Sequence, residues 1–307
     1  MEWFKNANYD FQKIRRKAMA VSALVILAGI VSMVIRGGPN WSIDFTGGIS
    51  VRLRFEKPMS EGEVRGVMSR IGLGDSEIKR ISELGGASDI LVQFKKTTAA
   101  EGGVDRIKSA LQQAFPDNSF AVRQVENIGP KIGKELRGKA VWASLLALLG
   151  ILIYVSARFE FLFSLAGVLA LFHDVLVTVG IFSILGKEIS LTIVAALLTI
   201  IGYSINDTIV IFDRIRENLK RLKTKGLEEI INTSINQTLS RTIVTNLTVF
   251  IVLWILFIFG GTVIRDFALA LLIGSFAGIY STIYIASPIL IEWNARAEKL
   301  QKRKTQR

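Results

Sequence analysis

The chain has 307 residues, half of them hydrophobic, with a formal net charge of +12, no cysteine and one histidine. The missing cysteines exclude disulfides, thiolate metal sites and thiol catalysis, and a lone histidine without other ligands at suitable spacing is too little for a metal centre. So apolar a chain is read first for membrane spans, because about 20 apolar residues cross roughly 30 Å of hydrocarbon as a helix that satisfies its own backbone.

A basic N-terminal segment, residues 1–17, precedes the first apolar run at 18–35. That run is long for a signal peptide and no small-residue cleavage site stands out before Asn40, so it reads as an uncleaved anchor. Further runs at 140–156, 161–185, 189–212, 243–260 and 266–291 predict a five-helix membrane bundle over 140–291, followed by a basic tail at 292–307. Lys5, Lys13, Arg15, Arg16 and Lys17 before the first span, Arg158 after the second, Arg214 to Arg241 after the fourth and Arg296 to Arg307 after the sixth all fall on one side. The two short loops opposite hold Lys187 and Arg265. Both termini are therefore predicted to be cytoplasmic. The same basic excess attracts anionic membrane lipids; nucleic-acid binding is the weaker account of it.

Residues 36–139 are too many for a loop and have the periodicities of a folded extracytoplasmic domain. Ile49, Val51, Leu53 and Phe55 alternate with Ser50, Arg52 and Arg54 as in a half-buried strand. Ser60 with Glu63 forms a capping box before a short helix through Val64, Val67, Met68 and Ile71. Strands are predicted at 77–84 and 90–95, joined by a turn at Gly85, Gly86 and Ser88. A helix follows through Val104, Ile107, Leu111 and Phe115, then a strand through Phe120, Val122 and Val125. The order βαββαβ predicts a ferredoxin-like α+β domain set between helices 1 and 2 of a six-helix membrane protein. With no histidine, no cysteine and acids sharing no face, its expected work is contact with another polypeptide. Gly129 and Pro130 then break the chain and are candidates for a hinge, or for an ordinary linker, before the second span.

The most informative residue is Asp207, in the fourth apolar run, where an acid costs roughly 2.5 to 3.5 kcal/mol on insertion scales and usually marks an ion or proton path. Tyr203 and Ser204 lie one turn earlier on the same face. Asn206 points about 100° away but adds a polar neighbour to the predicted path. Arg241, before the fifth run, could approach the fourth helix; burial and a nearby cation act in opposite senses on a carboxyl, so the occupancy of Asp207 can follow conformation. His173 and Asp174, mid-way along the third run, suggest a proton relay or hydrogen bonding within the bundle; as consecutive helical residues they are not expected to form a tight dyad. Gly150, Gly167, Gly180, Gly202, Gly274 and Gly278 are expected to let helices approach closely. No hydrolase triad or nucleotide fingerprint has its required context: GLGDSE near Gly72 lacks the helix, Lys and Ser of a phosphate-binding loop. No cofactor is predicted, and the energy source is expected to be an ion gradient or a partner.

Several stretches together resemble one family closely. They are SIDFTGG at Ser42 to Gly48, with Asp44, Phe45, Gly47 and Gly48 as its motif, ENIGPKIGKEL at Glu126 to Leu136 and FHD at Phe172 to Asp174. YSINDTIVIFDRIREN at Tyr203 to Asn218 and NTSINQTLSRTIVTNLT at Asn232 to Thr248 complete the set. They are similar to the SecF branch of the SecD/SecF protein-export family, part of the resistance-nodulation-division superfamily; Ser42 stands where that family usually has glycine. The resemblance implies a non-enzymatic subunit of a bacterial or archaeal cytoplasmic membrane. Joined to SecD, it would use a proton or sodium motive force to assist translocating polypeptide after the ATP-driven SecA/SecYEG steps. It implies ion-path roles for Asp207 and Arg241 and movement of the extracytoplasmic domain with each protonation cycle. The residues leave two other readings open: half of an exporter of small molecules or lipids, and a passive assembly scaffold.

Overall fold

The computed structural model describes residues 7–82, 88–95 and 102–305; the predicted turn at 85–86 lies outside them. Among the described residues, six helices are long and apolar enough to cross a membrane: Gln12–Ile35, Pro130–Arg158, Phe161–Ile184, Leu191–Arg221, Leu227–Phe259 and Ile264–Arg296. The first is α1 (Arg15–Ile35), entered through a 3₁₀ turn at Gln12–Ile14. A short helix α2 (Ile43–Thr46) leads into the outer domain: β1 (Gly48–Phe55), α3 (Glu61–Arg70), β2 (Glu77–Ser82), β3 (Ser88–Lys95), α4 (Gly103–Ala114) and β4 (Phe120–Ile128). The sheet is antiparallel in the order β2-β3-β1-β4, which is the ferredoxin-like arrangement. Its core is Val51, Leu53, Val64, Met68, Val92, Ile107 and Leu111, all fully buried. Ser60 and Glu63 form the reciprocal capping box that opens α3.

The β1 alternation holds for the core face but not for a solvated one. Ser50 is buried, and Arg52 and Arg54 turn inward on Asp89 of β3, whose carboxylate is fully buried. Arg52 Nε lies 2.5 Å from one carboxylate oxygen and Arg54 Nε 2.6 Å from the other. β4 is an edge strand; its bulge opposite Arg52 and Leu53 keeps Val125 paired with Val51, yet Val125 is 47% exposed.

The membrane helices continue as α5 (Pro130–Arg158), α6 (Phe161–Ile184), α7 (Leu191–Arg221), α8 (Leu227–Phe259), α9 (Thr262–Ser281) and α10 (Ser287–Thr305), the last two joined by a π-helical turn at Thr282–Ala286. Several outrun their apolar stretches. Pro130 is the first residue of α5 and Gly129 its cap, so 131–139 is helix rather than linker. α7 runs to Arg221 and α8 starts at Leu227, because their polar ends hold one another: Asn218 Nδ2 donates to Ser234 Oγ at 2.9 Å and to Gln237 Oε1 at 2.8 Å. The N-terminal segment is clasped against the same part of α8, where the Tyr9 and Phe11 amides donate to Asn236 and Asn232. The predicted span at 266–291 falls within one long helix that carries a π-helical turn. Pro288 lacks the N–H that would bond the carbonyl a turn earlier and its ring crowds that carbonyl, and the turn widens, with Ser287 Oγ donating to Thr282 O at 2.9 Å.

α6 and α7 are the most enclosed of the long helices before the sixth span, whereas α5 is almost wholly uncovered. The glycines contribute unequally. A Cβ on Gly29 of α1 would sit 2.5 Å from Gly180 Cα of α6, and one on Gly278 would meet Ser204, so these pairs set helix spacing. Gly150 and Gly202 face open space, and the packing role expected of them is not found.

Candidate functional site

The motif around Asp44 joins three parts of the molecule. Ser42 caps α2, its hydroxyl accepting from the Asp44 amide at 3.2 Å, so the serine supplies a turn that a glycine would leave uncapped. Asp44 Oδ2 in turn accepts from the Leu191 amide at 3.0 Å, at the N-terminus of α7. There the exposed N–H groups and the helix dipole both favour a carboxylate. Backbone bonds Ser42 N to Ile189 O and Ile189 N to Asn40 O splice the same segment onto the α6–α7 loop. Gly47 has φ of +78°, and a Cβ there would meet the Pro130 backbone at 2.9 Å; one on Gly133 would meet Phe45 and Gly47 backbone at the same distance. Phe45 is buried among Phe182, Ile189, Ile193 and Ala270. The motif is thus a splice between the outer domain, the start of α5 and the start of α7.

α7 carries Asp207 into the bundle, where it is 6% exposed. Its Oδ2 accepts from Asn246 Nδ2 of α8 at 2.6 Å, and Asn246 Oδ1 accepts from the Tyr203 hydroxyl at 3.0 Å. Arg241, five residues before Asn246 on α8, lies within electrostatic reach of Asp207 and is itself exposed. The Thr242 hydroxyl beside this group is buried with no partner among the described residues. Asn206 is exposed and lies outside the group, because one residue along a helix turns the side chain about 100°.

Ser204 does not join Asp207. Its hydroxyl donates to Asp174 Oδ2 of α6 at 2.7 Å, and Ser281 Oγ donates to the same oxygen at 3.0 Å. The other carboxylate oxygen lies 3.0 Å from His173 Nδ1, so the two neighbours do pair despite their helical spacing. His173 Nε2 meets Ser22 Oγ of α1 at 2.9 Å, and Thr208 of α7 meets Thr282 of the π turn at 2.9 Å. A second polar group, fully hydrogen-bonded, therefore ties α1, α6, α7 and the π turn together one helix face away from Asp207. An apolar cavity of about 690 Å³ opens between α1, α6, α8 and α9, with His173, Ser22 and Tyr280 on its wall. Among the described residues no group of three or more acidic or histidine side chains is placed to hold a metal.

Asn246, Ser281, Thr282 and Ser22 were not singled out by sequence reasoning. Asn246 lies inside the NTSINQTLSRTIVTNLT stretch, but an amide or hydroxyl in a span becomes informative only once its neighbouring helix is known.

The comparisons agree with this architecture. The family model described as "Protein export membrane protein SecD/SecF, C-terminal" matches residues 106–296, and the "SecD/SecF GG Motif" matches residues 31–59. The protein translocase subunit SecF of Rhodothermus marinus is 44% identical over 97% of both chains, and that of Endomicrobium trichonymphae 41% identical over 97% of this chain and 96% of its own. The crystal structure of SecDF, a translocon-associated membrane protein from Thermus thermophilus, superposes with a TM-score of 0.81 at 38% identity. It covers 95% of this chain, which spans 40% of that one. A second SecDF structure, in a super-membrane-facing form, gives a TM-score of 0.75. With relatives aligned along nearly its whole length and a matching fold, the chain is a multi-pass membrane protein that belongs to the SecF family of protein translocase subunits.

Proposed function

We propose that this chain, paired with SecD, converts an ion gradient into movement of the outer domain and so promotes polypeptide translocation after the SecA/SecYEG steps. Both termini lie in the cytoplasm, as the placement of basic residues favours. The observation that carries the reading is Asp207: a carboxyl enclosed by α7 and α8, held by one amide and faced by one cation, on the helix whose N-terminus Asp44 splices to the outer domain. Gain or loss of a proton there changes whether Asn246 has an anionic acceptor and whether Arg241 has a counter-charge. One charge moved through 100 mV releases about 2.3 kcal/mol, comparable with a helix repacking step. Asp174, fully engaged by His173, Ser204 and Ser281, serves as the fixed anchor against which α7 moves.

The test is secretion into inverted vesicles with and without an imposed proton or sodium gradient. Asp207→Asn, with normal assembly with SecD, is expected to abolish the gradient-dependent stimulation while leaving the ATP-driven part intact. Unchanged stimulation at matched expression overturns the proposal and leaves a passive scaffold.

A further inference from the structure

The face of α8 that packs on α7 carries a polar residue at every turn: Ser234, Thr238, Thr242 and Asn246, all buried. Both ends of this stripe are tied to α7, Asn246 to Asp207 and Ser234 to Asn218. Residues four apart share a helix face, so the stripe lies in the seam between the two helices. From Asn246 to Ser234 it covers about 18 Å of helix, leading from Asp207 towards the end of α8 that the basic residues assign to the cytoplasm.

A helical threonine ordinarily returns its hydroxyl to a carbonyl of the preceding turn. Thr238, Thr245 and Thr248 do so, at 3.0, 2.8 and 2.7 Å. Thr242 does not: it is 5% exposed, and its hydroxyl has no partner among the described residues. A buried hydroxyl left unpaired is costly, and this one sits one turn from the amide that holds Asp207. Side chains one turn apart have Cβ atoms about 5–6 Å apart, a gap that two hydrogen bonds through one water molecule span.

We propose that Thr242, Thr238 and Ser234 line the inward leg of a proton path that starts at Asp207, with Thr242 as its first station. The inference rests on the reading of Asp207 as the ion-carrying acid and adds the route by which the ion leaves. The step balances without a co-reactant. The Asp207 carboxyl gives its proton to a water held by Thr242, that water passes one of its own hydrogens to the next oxygen of the seam, and the carboxylate remains to be reloaded from the other side. Arg241, next to Thr242 in sequence, supplies a cation to face the carboxylate left behind. The cargo is a proton rather than sodium, which needs several oxygens around one point. The stripe offers one side-chain oxygen per turn, and the α7 positions one and two turns beyond Asp207 are Ile211 and Ile215, both buried. At the far end Asn218 donates to Ser234 and to the exposed Gln237, which also accepts from Arg214. Arg214 is paired with Glu217 at 2.6 Å, so the leg opens at a charge-balanced mouth.

The test uses the full chain with its partner subunit in inverted vesicles. Gradient-stimulated secretion is followed together with proton flux, reported by a pH dye trapped inside. Thr242→Val is expected to lower proton flux about a hundredfold, the low end for a positioned proton-transfer group, and to lose stimulated secretion with it. Thr242→Ser, which restores the hydroxyl, is expected to recover both. Thr238→Val should lower both, whereas Ser144→Ala, whose hydroxyl bonds its own helix on α5, should behave as wild type. Thr242→Val should also melt no lower than the wild type, since a methyl replaces an unpaired hydroxyl. Wild-type flux in Thr242→Val, a loss that Thr242→Ser does not recover, a loss matched by a lower melting temperature, or drive by a sodium gradient without proton flux overturns the inference. If Asp207→Asn abolishes stimulation and Thr242→Val does not, Asp207 keeps its role and only the route falls; unchanged flux in Asp207→Asn overturns both.

Discussion

Removing the Asp44 carboxylate tests whether the outer segment is mechanically joined to α7, the helix that holds Asp207. In the structure Asp44 Oδ2 accepts from the first amide of α7 at 3.0 Å, and the cap's own side chain, Ser190 Oγ, contributes a longer bond, 3.4 Å, to Ile193. Loss of a side-chain cap costs about 0.5–2 kcal/mol, and the attraction of a carboxylate for a helix N-terminus adds about 0.3–1 kcal/mol. Asp44→Ala should therefore weaken the junction by about 1.5 kcal/mol, close to tenfold in its closed fraction. Asp44→Asn keeps an acceptor oxygen without the charge and should cost about 0.5 kcal/mol. Hydrogen exchange of the α7 N-terminal amides is the direct assay: protection should fall about tenfold in the alanine variant and two- to threefold in the asparagine variant. Peptides from α9 should be unchanged. Asp207 lies 16 residues further along the same helix, about 24 Å at 1.5 Å per residue, so gradient-driven secretion should fall in the same order. Wild-type protection at Leu191 in Asp44→Ala would refute the splice.

Two further outcomes follow from the packing. Asp89→Ala strands Arg52 and Arg54 above a buried void and should destabilise the outer domain by about 3 kcal/mol, at the low end for a broken buried pair because both arginines are about a quarter exposed. Burial opposes it, but the bonds from Arg54 and Arg52 hold the Asp89 carboxyl below 3.8. Its contribution is therefore present above that value and is lost as pH falls through the folded one; exchange protection of β1 and β3 between pH 7 and pH 3 should show this loss in the wild type and not in Asp89→Asn. Gly29→Ala places a carbon 2.5 Å from Gly180 Cα and should cost about 1–3 kcal/mol by overpacking. Gly150→Ala, with nothing within 4 Å, should melt like the wild type.

The spans and the outer domain were legible in the sequence because run length and alternation are local signals. The polar ends of α7 and α8 were not, since what holds them is contact distant in sequence: Asn218 of α7 with Ser234 of α8, and Asn236 of α8 with the Tyr9 backbone of the N-terminal segment. Asp207 announced itself by its depth in an apolar run, but its partner Asn246 did not, because pairing across helices depends on which faces meet. Ser204 shows the limit of single-helix reasoning. It shares a face with Asp207, as spacing predicts, yet its hydroxyl turns to Asp174 on α6. His173 and Asp174 show another: spacing places backbone atoms, whereas the side chains of neighbours can still meet.

The widened turn at Thr282–Ala286 carries one surplus residue inside an otherwise regular rod. Such a surplus behaves like a dislocation in a crystal: it can glide along the rod while the two ends stay put, and each step swings the residues it passes by about 100°. Ser281 and Thr282 sit where that glide would begin, bonded to Asp174 and Thr208. Rotation of the sixth span could thus unlock both contacts without any helix sliding along its axis.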